Sequence, residues 1–211
     1  MDLNVTLKSY LESLESSSPT PGGGNVSAFC GVLATALGKM VCNLTIGKKK
    51  YIDVEHEIKE NLSNLSEKKI IFEDLAKKDN EAFDDVMAAF KLPKDTDEQK
   101  SIRAEAIENT TKKAANIPFE VIKTCNLTLN TLAEVVLKGN KNSVSDAGVA
   151  VLLMLTAAKG AYLNVIINCA SLSDKSFAKN VIDEATGFIN ELEVKVNFIF
   201  SSSKKDILNE N

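Results

Sequence analysis

The chain contains no tryptophan, one arginine, one histidine and only four prolines among its 211 residues. Each scarcity removes a class of function. With Arg103 as the sole arginine, bidentate guanidinium recognition is almost unavailable, so lysines would have to hold any anionic ligand. With His56 as the sole histidine, a histidine-based zinc site or a catalytic triad lacks its material. The four cysteines, Cys30, Cys42, Cys125 and Cys169, show no CxxC pairing and lie inside apolar helical patterns. They read as reduced, buried small hydrophobes, and neither a metal site nor a cofactor is expected. A net charge of −4 argues against a nucleic-acid partner. The start Met1-Asp2-Leu3-Asn4 is acidic and lacks a long apolar run, so a cytoplasmic protein without a leader is expected. Residues 147–158 are apolar throughout, but Lys159, Gly160, Asn164 and Asn168 interrupt the run. That pattern favours a buried core helix over a membrane span.

What remains is helix. Hydrophobic residues make up 44% and charged residues 26%, enough for one good-sized core, and residues 1–211 read as a single domain. Leu3, Leu7, Tyr10, Leu11 and Leu14 predict a short amphipathic helix. Residues 25–46 predict a second, with Ser27, Gly31, Thr35, Gly38, Cys42 and Thr45 forming a stripe of small residues suited to close helix contact. From Asp53 to Phe90 there is no Pro or Gly, and Ile58, Leu65, Phe72 and Val86 follow a seven-residue spacing, with Leu62, Ala76, Phe83 and Phe90 beside them. Lys91 to Thr96 reads as a turn. A helix from about Asp97 is expected to break or kink at Ile117-Pro118 before continuing to Leu137. After a loop at residues 139–142, Ser145 or Asp146 should cap a long helix to about Ala170. A last helix should span roughly Ser173 to Phe200, with a frayed tail beyond Ser201. No strand-period segment and no internal repeat is found. The predicted class is all-α, a multihelical bundle of long antiparallel helices.

Three places carry candidate chemistry. The first is Ser18-Pro19-Thr20-Pro21-Gly22-Gly23-Gly24 ahead of a helix. Its prolines stiffen the loop, its glycines admit close approach, and the helix start offers unpaired N–H groups. That helix leads to Lys48, Lys49, Lys50 and Tyr51, so a ligand with a polar head and an anionic tail is one reading. A solvated charge run is the other. The second is Asp79, which occupies the heptad position between Phe72 and Val86. A carboxylate there is either a buried hydrogen-bonding residue or a site acid with a raised pKa. The third runs from Asn140 through Ser145 and Asp146 to Asn164 and Asn168, two amides on an apolar helix that must find partners in other helices or in a ligand.

These same segments carry a resemblance. Residues 19–24 (Pro-Thr-Pro-Gly-Gly-Gly), the run from Met40 to Tyr51, and Gly139-Asn140 through Ser145-Asp146-Ala147-Gly148 resemble the cyclodeaminase/cyclohydrolase family of folate enzymes. Asp79 with Ala82-Phe83, Leu92-Pro93-Lys94, Pro118, and Asn164 with Asn168 follow the family order as well. Asn25 departs from it, standing where a serine is usual. The resemblance implies an all-helical homodimer with a cleft near the dimer interface, acting on a tetrahydrofolate one-carbon derivative, often polyglutamylated. It implies Asp79 as proton carrier and Asp146 as second carboxylate or pterin anchor. Pro21, Gly22, Gly23, Gly24, Asn140, Ser145, Asn164 and Asn168 would bind or position the pterin. Lys48, Lys49 and Lys50 would attract the glutamate tail, with Tyr51 stacking on the aminobenzoate. Cyclodeamination of 5-formiminotetrahydrofolate is the first expectation, and hydrolysis of 5,10-methenyltetrahydrofolate the alternative. A non-catalytic helical folate-binding or assembly protein is the competing class.

Overall fold

The structure, a computed structural model, describes residues 5–208 and contains no strand among them. Its helices are α1 (Leu7–Leu14), α2 (Gly23–Thr45), α3 (Glu55–Phe90), α4 (Asp97–Lys138), α5 (Val144–Ala170) and α6 (Lys175–Leu208). Short 3₁₀ turns at Lys49–Val54 and Lys141–Ser143 lead into α3 and α5. Helices α2 to α5 run alternately up and down as a four-helix bundle, with α2 against α3 and α5, and α4 against the same two. Helix α6 lies along α5 and α4. The all-α expectation is met.

The small-residue stripe explains how tightly α2 sits in this bundle. A Cβ on Gly31 would come within 2.5 Å of the Phe72 ring, and one on Gly38 within 2.5 Å of Leu132. On the opposing side, a Cβ on Gly160 of α5 would lie 2.3 Å from the Ser27 hydroxyl. The buried hydroxyls of the stripe satisfy themselves within the helix. Ser27 donates to the Gly23 carbonyl at 2.6 Å, Thr35 to Gly31 at 3.0 Å and Thr45 to Val41 at 2.7 Å. The stripe therefore closes the core without orphaned polar groups.

Along α3 the heptad row holds Ile58, Leu65 and Phe72 completely buried. Beyond Ala76 the row leaves the core: Phe83 and Val86 are half-buried, and Phe90 is exposed. The same row thus packs the bundle over its first half and lines a cleft over its second.

Three boundaries differ from expectation. Helix α4 is not broken at Pro118 but runs 42 residues through it. Proline has no N–H to give the Ala114 carbonyl one turn earlier, and Asn168 supplies the missing donor, its Nδ2 lying 3.0 Å from that oxygen. Helix α5 is capped by neither Ser145 nor Asp146. The 3₁₀ turn runs directly into it at Val144, placing both residues in its first turn. Helix α6 does not fray at Ser201 but continues to Leu208. Buried Ser203 packs against Gly148, and Lys141 pairs with Asp206 at 3.0 Å, which holds the last turns onto the start of α5. Leu3, expected on the first helix, lies outside the described residues.

Helix α2 and the stretch Lys141–Ala170 are each long and apolar enough to cross a membrane. In the bundle their inward faces form core, including Ala28, Val32, Val41, Met154 and Val165.

Candidate active site

Helix α2 starts without a side-chain cap of its own, because its N-cap residue is Gly22. A carboxylate from another helix takes that place. The Asp79 carboxyl of α3 is set against this helix start, where the backbone N–H of Asn25, the third residue of α2, favours its charged form. The approach requires glycine beside it. A Cβ on Gly24 would stand 2.1 Å from Asp79 Oδ1, 2.6 Å from its Cγ and 2.7 Å from Oδ2. Burial pushes the Asp79 carboxyl above the usual carboxylate range, and the Asn25 N–H draws it part of the way back. A carboxylate held this way is a stronger base than a solvated one and still has a fixed position.

Asp79 opens onto a cleft of about 580 Å³ at this end of the bundle. The glycine loop contributes Pro19, Thr20, Gly22, Gly23 and Gly24. Phe83, Val86 and Phe90 of α3, Ile107 of α4 and Ile167 of α5 give it an apolar wall. Thr111, Asn164, Asn168 and Ser171 add neutral polar groups. Among the described residues, Asp79 is the only ionisable side chain in this lining. The cleft thus suits a flat ring system with polar edges, with one negative charge set at a fixed point of its wall.

The two helix amides are partly committed to protein. Asn164 donates to the Gly160 carbonyl at 2.9 Å, with its Nδ2 3.4 Å from where a Gly23 Cβ would be, and Asn168 holds the Ala114 carbonyl. Pro21 precedes the lining glycines in the same loop.

The remaining candidates lie at the opposite end of the bundle. Asp146 is 18 residues before Asn164 on the same helix, about 27 Å along its axis. At the same end, Lys49 and Lys50 are exposed on the 3₁₀ turn that follows α2, and Lys48 is exposed at its N-cap. Tyr51 and Asn140 tie this end together. The Lys141 N–H donates to the Tyr51 hydroxyl at 2.9 Å, the Asn140 N–H to Thr45 Oγ1 at 2.9 Å and Asn140 Nδ2 to the Leu44 carbonyl at 3.0 Å. Ser145 is exposed, and Asp146 is half-buried in the first turn of α5. Within the chain these residues do not join the cleft.

One central residue was not singled out from the sequence, where it counted only as a departure from pattern. Asn25 is completely buried. Its Nδ2 donates to the Ala76 carbonyl at 2.7 Å and to Asn80 Oδ1 at 3.3 Å, and its Oδ1 accepts from the Tyr10 hydroxyl at 2.9 Å. The signal was its spacing, since Asn25, Ala28, Val32 and Thr35 recur at three and four and share the buried face.

The sequence matches the formiminotransferase-cyclodeaminase family over residues 6–187. The chain belongs to that family. It is 41% identical to a methenyltetrahydrofolate cyclohydrolase of Methylorubrum extorquens, a match covering 97% of this chain and 98% of that one. It is 26% identical to the formimidoyltransferase-cyclodeaminase of Mus musculus, covering 95% of this chain but only 37% of the mouse protein. A crystal structure described as a formiminotetrahydrofolate cyclodeaminase of Thermotoga maritima superposes with a TM-score of 0.82 at 32% identity, covering 98% of this chain and 97% of that one. The family fold therefore extends through the whole bundle, including the cleft and both of its ends.

Proposed function

We propose that this family member is a methenyltetrahydrofolate cyclohydrolase, hydrolysing 5,10-methenyl- to 10-formyltetrahydrofolate. The observation that carries the reading is the end-to-end match at 41% identity to a protein of that name. The match to the mouse cyclodeaminase is weaker and takes in only about a third of that protein. The order of the two activities is thus the reverse of the sequence expectation. Cyclodeamination stays as the second reading because the Thermotoga maritima protein of similar length carries that description.

The chemistry asks for little. The bridging carbon of the substrate is cationic, shared between N5 and N10. Asp79 takes a proton from water as the water oxygen bonds to that carbon, then returns the proton to N5 as the carbon–N5 bond breaks; the new hydroxyl releases its remaining proton to solvent, leaving the formyl group on N10. The carboxylate also sets negative charge beside the cation. Phe83 and Phe90 offer the apolar wall for the rings, and the glycine loop with Asn164 offers polar partners for the pterin edge. No resident metal or cofactor takes part in this scheme.

The working unit in this reading is a homodimer. Helices α2 and α5 lie side by side, and each leaves an outward apolar stripe uncovered: Leu33, Met40 and Leu44 on α2, Val149, Leu152 and Leu163 on α5. Two copies joined on these stripes about a two-fold axis perpendicular to the helices would run α2 against α2 in opposite directions. The Lys48–Lys50 turn of one copy would then approach the glycine loop of the other, where the glutamate tail of a polyglutamylated substrate leaves the cleft. In a cytoplasmic setting such tails are the lysines' natural target.

The deciding assay offers both folates to the purified chain while methenyl absorbance and ammonia are followed. Faster loss of methenyl absorbance than formation of ammonia is expected. Preferential ammonia release would replace this reading with the cyclodeaminase, and thermal stabilisation by folate without turnover of either would reduce the chain to a binding protein.

A further inference from the structure

Helix α1 touches the bundle through one buried side chain, Tyr10, whose ring meets Phe29 at 5.3 Å between centroids. Its hydroxyl donates to Asn25 Oδ1 at 2.9 Å. Both Nδ2 hydrogens of Asn25 are engaged on α3, with the Ala76 carbonyl and Asn80 Oδ1, which flank Asp79 in sequence. The orientation of the amide is therefore forced. Its nitrogen must face the two α3 oxygens, and its oxygen must face a donor, which among the described residues is Tyr10. This same residue follows Gly24, where a Cβ would lie 2.1 Å from Asp79 Oδ1, so its main chain adjoins the carboxylate.

We propose that Tyr10 is a positioning residue for Asp79: its hydroxyl locks the Asn25 amide, and that amide pins the start of α2 to the turn of α3 that carries the carboxylate. The reading of Asp79 as proton carrier underlies the catalytic half of this proposal. The short first helix then serves the active site without touching the cleft. With that pin loosened, the carboxylate would lose its fixed seat against the helix start, and its oxygens could swing off the reacting carbon. Few other groups compete. Tyr10 and the nearby Cys30 are both pushed up by burial and stay neutral, α4 brings Thr111 and α5 brings Asn164.

The test compares Tyr10→Phe with Tyr162→Phe. The second variant removes a hydroxyl of the same kind, bonded at 2.7 Å to Thr186, from the α5–α6 contact outside the cleft lining. Two readouts are taken: kcat and KM across pH, and the carboxyl titration of Asp79 by carbon-13 NMR, assigned with Asp79→Asn. Tyr10→Phe is expected to lose roughly tenfold in kcat, the scale of one hydrogen bond, with KM within about twofold. Its Asp79 titration and the acid limb of its rate profile should both move to higher pH, because the Asn25 N–H that favours the charged form is held less closely. Tyr162→Phe should move neither. Adding Tyr10→Phe to Asn25→Ala should cost nothing further, since the two act in series. An Asp79 titration in Tyr10→Phe that superposes on the parent overturns the proposal, whatever happens to thermal stability. A shifted titration with unchanged kcat supports the clamp but removes Asp79 from the chemistry. Absence of turnover in the parent refutes the folate reading instead, and the titration still decides the clamp.

Discussion

Gly24→Ala is the sharpest test of the cleft. Its added methyl would lie 2.1 Å from Asp79 Oδ1 and 2.7 Å from Oδ2, whereas real Cβ atoms essentially never come within 3.0 Å of another heavy atom. All three carboxyl atoms lie within 2.7 Å of it, so the carboxyl group must swing away by about an ångström or α2 must move away from α3. A displacement of that size at a reacting group costs roughly 10²-fold in rate. Stability should change far less. Overpacking costs about 1–3 kcal/mol, and the gain from replacing a helical glycine offsets about 0.5–1 kcal/mol of it. The net loss of about 1–2 kcal/mol corresponds to a fall of roughly 2–8 °C in Tm for a chain of this size. Gly187→Ala on α6 is the control, because its Cβ would meet nothing within 4 Å. It should leave activity unchanged and add about 0.5–1 kcal/mol. Steady-state kinetics and thermal melts on both variants read the outcome. If Gly24→Ala turns over like the parent, Asp79 does not act from the position it occupies here.

Asp79→Asn should lose roughly 10²-fold or more in kcat with its helical circular dichroism intact. Because the folded state holds the Asp79 proton more tightly than the unfolded chain, its contribution to stability is full below the unfolded pKa and is lost as pH rises through the folded one. Asp79→Asn should therefore melt at or above the parent at pH 7, with the advantage vanishing towards about pH 4; a lower Tm at neutral pH would contradict the burial argument. Replacing Lys48, Lys49 and Lys50 together by alanine should raise KM for polyglutamylated substrate more than for monoglutamate, most clearly at low salt. Equal effects would leave that turn as solvated surface. Asn168→Ala strands the Ala114 carbonyl and should cost about 1–3 kcal/mol in chemical denaturation. Pro118→Ala in the same chain restores an N–H to that carbonyl and should recover most of the loss, and strictly additive effects would disprove the pairing.

The fold was legible wherever periodicity decided it. Heptad spacing placed Ile58, Leu65 and Phe72 in the core, and the small stripe on α2 marked the contact with three other helices. Errors arose where a distant residue supplied what the local sequence lacked. Pro118 reads as a break because nothing near it in sequence offers a donor to Ala114, and the donor is Asn168, 54 residues later. Residues past Ser201 read as a tail because the partners that order them, Lys141 and Gly148, lie on another element.

The residues that line the candidate cleft were legible only in part, and the reason is geometric. The glycine loop, Asp79, Asn164 and Asn168 come from different helices, yet an up-down bundle returns the start of α2, the end of α3 and the end of α5 to one place. The lysine turn is close to the glycine loop in sequence but lies beyond the far end of α2, whose 23 residues span about 34 Å. Rise per residue alone therefore forbids one subunit from using both on a short ligand. A role for the lysines in binding the substrate must come from a tail long enough to reach them or from a second copy laid antiparallel. The two routes separate by experiment. Charged replacements at Leu33 and Leu163 should dissociate a dimer, and the lysine dependence of KM should then vanish. Persistence of that dependence in the monomer would assign the lysines to the tail within their own subunit.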